Sequence, residues 1–148
     1  MSTQTDTQTL HLTRNGEVGI LTLDRPAKRN ALDDETISGL GEFFTHPPEG
    51  ISAIVLTSTG EHFCAGLDLS EMTDRDAVAG LHHSRGWHTT MNAIAESAVP
   101  VIAVLQGAVI GGGLELPSAP PLRVAEGTPY FPPPAGRRGL VVGGGASV

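Results

Sequence analysis

The front of the chain alternates apolar and polar residues with the period of a strand. Leu10 and Leu12 share one face of residues 9–14, Asn15-Gly16 is a strong hairpin-turn signal, and residues 17–23 alternate again. In that second run Val18, Ile20 and Thr22 take one face, and Gly19, Leu21 and Leu23 the other. Apolar residues on both faces predict a strand covered on both sides. After a polar loop at 24–30 the period lengthens. Ile37, Leu40, Phe43 and Phe44 follow helical spacing, so a helix is predicted over 34–45. Asp33 or Asp34 would cap it and Pro47-Pro48 would stop it. Residues 52–57 and 100–106 are short apolar runs and predict buried strands. Between them, Asp68 with Glu71 resembles an N-cap signal. A longer helix is predicted over 75–97, with Val78, Leu81, Trp87, Met91 and Ile94 on one face. The order β-β-α-β-α-β predicts an α/β fold. Residues 1–7 read as a disordered polar tail before a domain over 8–148.

Composition narrows the function classes. The chain has 148 residues, a net charge of −7 and one lysine, Lys28, so a nucleic-acid binder is disfavoured. The single cysteine, Cys64, excludes an internal disulfide and suits a reducing compartment. It reads as a small buried hydrophobe. No apolar run approaches the ~18 residues of a membrane-spanning helix. The first twenty residues lack the apolar core of a secretory signal, so a cytoplasmic, membrane-free protein is expected. Residues 101–148 hold 10 of the 19 glycines and 7 of the 11 prolines, so the last third differs in character from the rest.

Two glycine-bearing loops follow buried strands and precede predicted helix starts: Glu61 to Asp68, and Gly107 to Glu115. Backbone N–H groups at helix starts have no internal partner and are backed by the helix dipole. Two of them converging on one point would make an oxyanion hole. On spacing alone a tight turn or close backbone packing remains the competing reading. His82, His83 and His88 share one predicted helix at poor metal-ligand spacing and read as a solvated or partly packed face, so no metal site is expected. Arg25, Lys28 and Arg29 form a small basic cluster, either a phosphate site or a solvated loop.

Four segments together resemble the crotonase superfamily, the enoyl-CoA hydratase/isomerase family. They are residues 23–32 (LDRPAKRNAL), 63–69 (FCAGLDL), 100–107 (PVIAVLQG) and 111–116 (GGGLEL). The resemblance covers about residues 8–142. It implies a spiral of β-β-α units that binds acyl-CoA thioesters and stabilises an enolate at the thioester oxygen, with no further cofactor. Carried over by position, it makes the N–H groups of Leu67 and Gly112 the oxyanion donors and Glu115 a catalytic carboxylate. Ala27, Lys28, Arg29, Ala65, Gly66, Asp68 and Leu69 border the CoA. Some relatives have a lysine two residues after the aspartate, where this chain has Ser70.

The sequence also departs from the family's pattern. A second catalytic glutamate would fall at Ala135, which cannot transfer a proton, and Glu126 matches no catalytic position and reads as a surface residue. Pro117 lies about a turn inside the third helix, and Pro120-Pro121 would end it. Family members continue well past this length, so the spiral is expected to be incomplete at its C-terminus, with exposed apolar surface and aggregation. The family's trimer or hexamer is not expected to carry over. Two readings follow. The first is an enoyl-CoA hydratase/isomerase-like enzyme of fatty acid metabolism that binds an acyl-CoA, and for which Glu115 alone suits isomerisation better than hydration. The second is a catalytically impaired fragment or pseudoenzyme that at most binds CoA or a related subunit.

Overall fold

The computed structural model describes residues 8–71, 75–127 and 129–131. The tail at 1–7 and the region around Ala135 lie outside the described residues. Strands β1 (Leu10–Asn15) and β2 (Val18–Leu23) form the antiparallel hairpin, closed by the pair Asn15–Val18 with Gly16 at φ +62°. Strands β3 (Ala53–Ser58), β4 (Val101–Leu105) and β5 (Leu122–Ala125) then add in parallel, each beside its predecessor. Each parallel step needs a crossover, and three helices supply them. These are α1 (Asp34–Thr45), α2 (Ala77–Ala95) and α3 (Gly112–Ser118). The architecture is therefore mixed α/β.

Local chemistry explains the helix starts. Asp33 is extended, and its carboxylate accepts from the Thr36 N–H at 2.9 Å and the Thr36 hydroxyl at 2.6 Å. Asp76 caps α2 in the same way through the Ala79 N–H at 2.8 Å. The expected cap at Asp68 opens only a single 3-10 turn over Leu69–Glu71, because its carboxylate bonds the Ser70 N–H two residues on rather than a helix's N3 position. Pro117 lies in the last turn of α3 and the helix ends one residue later. The expected early stop is present, and α3 has only two turns.

One core holds these elements together. Leu10, Leu21, Leu23, Ile54, Leu56, Val101, Ala103 and Leu105 line one sheet face. Ile37, Leu40, Phe43 and Phe44 of α1 and Trp87, Met91 and Ile94 of α2 complete the core. Two expectations fail here. β2 is covered on one face only, since Val18, Ile20 and Thr22 stay half-exposed while Gly19, Leu21 and Leu23 are buried. The register continues that open face through Val55, Ile102 and Leu122, and Leu122 is 54% exposed. On α2, Val78 and Leu81 are exposed, because the first turns of the helix run beyond the core that Trp87, Met91 and Ile94 enter. β5 is an exposed edge strand that the sequence pattern did not predict. It has four residues and no buried position to mark a period.

Candidate active site

The loop between β2 and α1 is organised by two side chains. Asn30, in the left-handed region at φ +55°, is buried. It accepts from the Arg25 N–H at 2.8 Å and donates to the carbonyls of Thr59 (2.8 Å) and His62 (2.9 Å). The Arg25 guanidinium turns inward, donating to the Ala31 carbonyl at 2.6 Å and pairing with Asp33 at 3.1 Å and Asp68 at 3.0 Å. Arg25 therefore does not belong with Lys28 and Arg29 in a phosphate cluster. Its charge is committed to two buried carboxylates, whereas Ala27, Lys28 and Arg29 are exposed. A depression of about 380 Å³ beside them is lined by Pro26, Ala27, Arg29, Asn30, Thr59 and His62, among others.

The segment 64–68 crosses this loop as a short ladder. Ala65 N–H donates to the Arg29 carbonyl (2.9 Å), Leu32 N–H to Gly66 (2.8 Å) and Asp68 N–H to Leu32 (2.8 Å). The ladder brings Arg29–Leu32 alongside Ala65–Asp68, and it accounts for most of the donors in the second segment. Ala65 and Asp68 bond carbonyls and the Gly66 N–H bonds Cys64 Sγ at 3.4 Å. Among the described residues, the Leu67 N–H has no backbone acceptor.

The second glycine loop packs directly on the first. Ile110 N–H donates to the Cys64 carbonyl at 3.0 Å and Cys64 N–H to Ala108 at 3.2 Å. The approach leaves no room for side chains at two glycines. A Cβ on Gly113 would stand 2.3 Å from the Cys64 carbonyl oxygen. One on Gly66, at φ +96°, would stand 2.7 Å from the Ile110 oxygen. The N–H groups of Gly113, Leu114 and Glu115 bond back to Ile110 and Gly111, but those of Gly111 and Gly112 have no such acceptor among the described residues. Gly112 N lies 3.4 Å from the Cβ position of Gly66, and Leu67 N lies 3.5 Å from that of Gly112. The two unaccepted donors of Leu67 and Gly112 are thus neighbours.

Glu115 follows three residues later on α3, 8% exposed, and its Oε2 accepts from the Trp87 indole N–H at 2.8 Å. Of the ten residues named from the sequence, Gly66, Leu67 and Gly112 adjoin one another, Arg29 pairs with Ala65, and Glu115 lies one helical turn past Gly112. Leu69 is exposed, in the 3-10 turn after the first glycine loop. The Asp68 carboxylate is occupied by Arg25 and Ser70, and its N–H and carbonyl by Leu32 and Glu71, so Asp68 shapes the loop. The sequence pattern does not mark three organising residues: Arg25 groups with its neighbouring charges, Asn30 falls in a polar loop, and Trp87 takes an apolar core position. No periodicity signals a side chain whose partner is tens of residues away. Among the described residues no group of three or more His, Cys, Asp or Glu could hold a metal ion. His83 pairs with Asp34 at 2.8 Å.

Two titratable groups have shifted ionisation. The Ser70 hydroxyl, then Arg25, the Ser70 N–H and the nearby charge of Lys28, hold the Asp68 carboxyl at about 2 against the opposing effect of burial. A depressed folded-state pKa contributes stability that is full above the ordinary value of 3.8 and lost as pH falls towards 2. Urea midpoints measured from pH 5 to pH 2 are expected to fall more gently in Asp68→Asn than in the parent chain. Cys64 is wholly buried, and burial pushes its thiol up to about 12. At pH 8 its thiolate population is therefore far below that of an ordinary thiol. The folded chain is expected to resist a chromogenic disulfide reagent that reacts at once with the urea-unfolded chain.

Comparison with known proteins identifies the family and the fold. The enoyl-CoA hydratase/isomerase family model matches residues 13–148, and the chain belongs to that family. It is 36% identical over 137 residues to a carnitinyl-CoA dehydratase of Salmonella enteritidis, covering 90% of this chain and 52% of that one. A Rhodopseudomonas palustris protein assigned as an enoyl-CoA hydratase superposes with a TM-score of 0.90 at 50% identity, over 97% of this chain and 55% of its own. A Thermobifida fusca protein assigned likewise, solved with acetoacetyl-CoA, superposes with a TM-score of 0.82 at 25% identity, over 91% of this chain and 57% of its own. The fold is thus that of the crotonases, and the chain spans about half the length of the curated relatives it matches. Among the described residues no helix is long and apolar enough to cross a membrane.

Proposed function

We propose that this chain binds an acyl-CoA thioester and stabilises its enolate, with the N–H groups of Leu67 and Gly112 as donors to the thioester oxygen. The observation that carries the reading is the pair of neighbouring N–H groups, without a backbone acceptor among the described residues, and a buried carboxylate three residues beyond one of them. A thioester carbonyl gains negative charge on one oxygen when an α-proton leaves. Two donors held by the packing of two loops stabilise that charge without reorganising, and each is typically worth about 3–4 kcal/mol. Family membership and the acetoacetyl-CoA held by the Thermobifida fusca neighbour support the substrate class. Lys28 and Arg29, exposed beside the depression at Pro26–Asn30, suit the phosphates of CoA.

Glu115 is the proton-transfer group of this reading. It takes the C2 proton of a 3-enoyl-CoA, the electron pair moves onto the thioester oxygen, and the same proton returns at C4 to give the 2-enoyl isomer. No water is consumed, so one carboxylate suffices. Hydration needs a second group to activate water, and Ala135 stands where the family's second glutamate falls. That substitution also favours a second reading, a CoA binder without turnover. The purified chain titrated with acetoacetyl-CoA and assayed with a 3-enoyl-CoA separates the two. Saturable binding with isomer formation supports the enzyme, and saturable binding alone supports the binder. Absence of binding to a cooperatively folded chain rejects both.

A further inference from the structure

Trp87 stands where α2 meets the start of α3: it bonds Glu115, and its ring fills the space into which a side chain at Gly112 would project. Its indole N–H donates to Glu115 Oε2 at 2.8 Å, with the two side chains 5% and 8% exposed. The far edge of the same ring, Cη2, lies 3.4 Å from the Cβ position of Gly112. Leu67 Cγ lies at the same distance from that position. The ring itself is held by the core through its place on the buried face of α2 beside Met91 and Ile94. A packing role alone asks only for an apolar ring, but a buried indole N–H needs an acceptor and so selects a direction. As a neutral, donor-only group, it orients a carboxylate without neutralising it and without offering a proton of its own.

We propose that Trp87 is a positioning residue that fixes the Glu115 carboxylate and, through the same ring, the seating of Gly112 against Leu67. The proposal rests on the function proposed above. A misplacement of about 1 Å at a reacting group costs about a hundredfold in rate. Loss of the indole N–H is therefore expected to slow proton transfer about 10- to 100-fold while leaving acyl-CoA affinity within about threefold, because the backbone donors and the CoA-side loop remain.

Trp87 is the only tryptophan in the chain, which gives a clean test. Benzothienylalanine in its place keeps the bicyclic shape and carries sulfur instead of N–H. Trp87→Phe serves as a second variant. The readouts are exchange of the α-protons of butyryl-CoA with D2O, followed by NMR, and calorimetric affinity for the same ligand. A 10- to 100-fold slower exchange at near-constant affinity supports the proposal. Exchange within twofold of the parent overturns it, and so does equal loss of affinity and rate, which a packing role alone would give. The ligand-free chain supplies an independent arm. Its single indole N–H resonance is expected to shift and to exchange with solvent at least tenfold faster in Glu115→Met. An indole signal indifferent to that change overturns the link whatever the activity. A parent chain that binds butyryl-CoA without exchange rejects the base role of Glu115 and, with it, the role given to Trp87. A parent chain that does not bind rejects the proposed function, and the indole arm tells the two failures apart.

Discussion

Arg25→Met is expected to destabilise the chain by about 3 kcal/mol, at the lower end of what breaking a buried ion pair costs. The guanidinium is the shared partner of Asp33 and Asp68 and of the Ala31 carbonyl, and its side chain is only 21% exposed. Removing it leaves two carboxylates, 11% and 8% exposed, without their cation. Against a total stability of about 5–15 kcal/mol for a domain, this is a large share. The check is the urea midpoint at pH 7, with the double variant Arg25→Met/Asp68→Asn as the control. If unpaired charge is the cost, the double variant recovers part of the loss. If the two losses simply add, Arg25 acts through packing instead. Lysine is a poor replacement, because one ammonium cannot span three acceptors that the planar guanidinium reaches together.

The second large effect is on chemistry. Glu115→Gln is expected to lower α-proton exchange of a bound acyl-CoA by about 10²- to 10⁴-fold, the usual contribution of a positioned acid–base group. Affinity for the ligand is expected to hold, since the amide has the same shape and can still accept from the Trp87 indole. Exchange rates by NMR beside calorimetric affinity measure the split. An unchanged rate in Glu115→Gln places the base elsewhere in the molecule. The stability of Glu115→Gln is expected to stay close to the parent's, which separates this result from that of Arg25→Met.

Much of the fold was legible because its signals are local. The hairpin at Asn15-Gly16, the Asp33 cap, the apolar runs at 52–57 and 100–106 and the proline stop after Ser118 each depend on neighbours within a few residues. The expectations that failed depend on what lies across the fold. The outer face of β2 carries Val18 and Ile20, but no pattern within the strand reveals whether a second layer covers it. Val78 and Leu81 fit the same helical stripe as Trp87, and only the length of the core decides that they project past it.

The site divides in the same way. Taken by itself, the sequence determined which residues are present and in what order: two glycine loops after two strands, a carboxylate three residues past Gly112, and an alanine at 135. Those are covalent facts, and family resemblance needs nothing more. Only the tertiary structure decided that Gly66 meets Ile110, that Leu67 and Gly112 are neighbouring donors without a backbone acceptor among the described residues, that Arg25 turns inward, and that Trp87 holds Glu115. These contacts join residues 28 to 45 positions apart. Which groups meet across such distances is set by how the loops and helices pack around the shared core, and no local pattern encodes it.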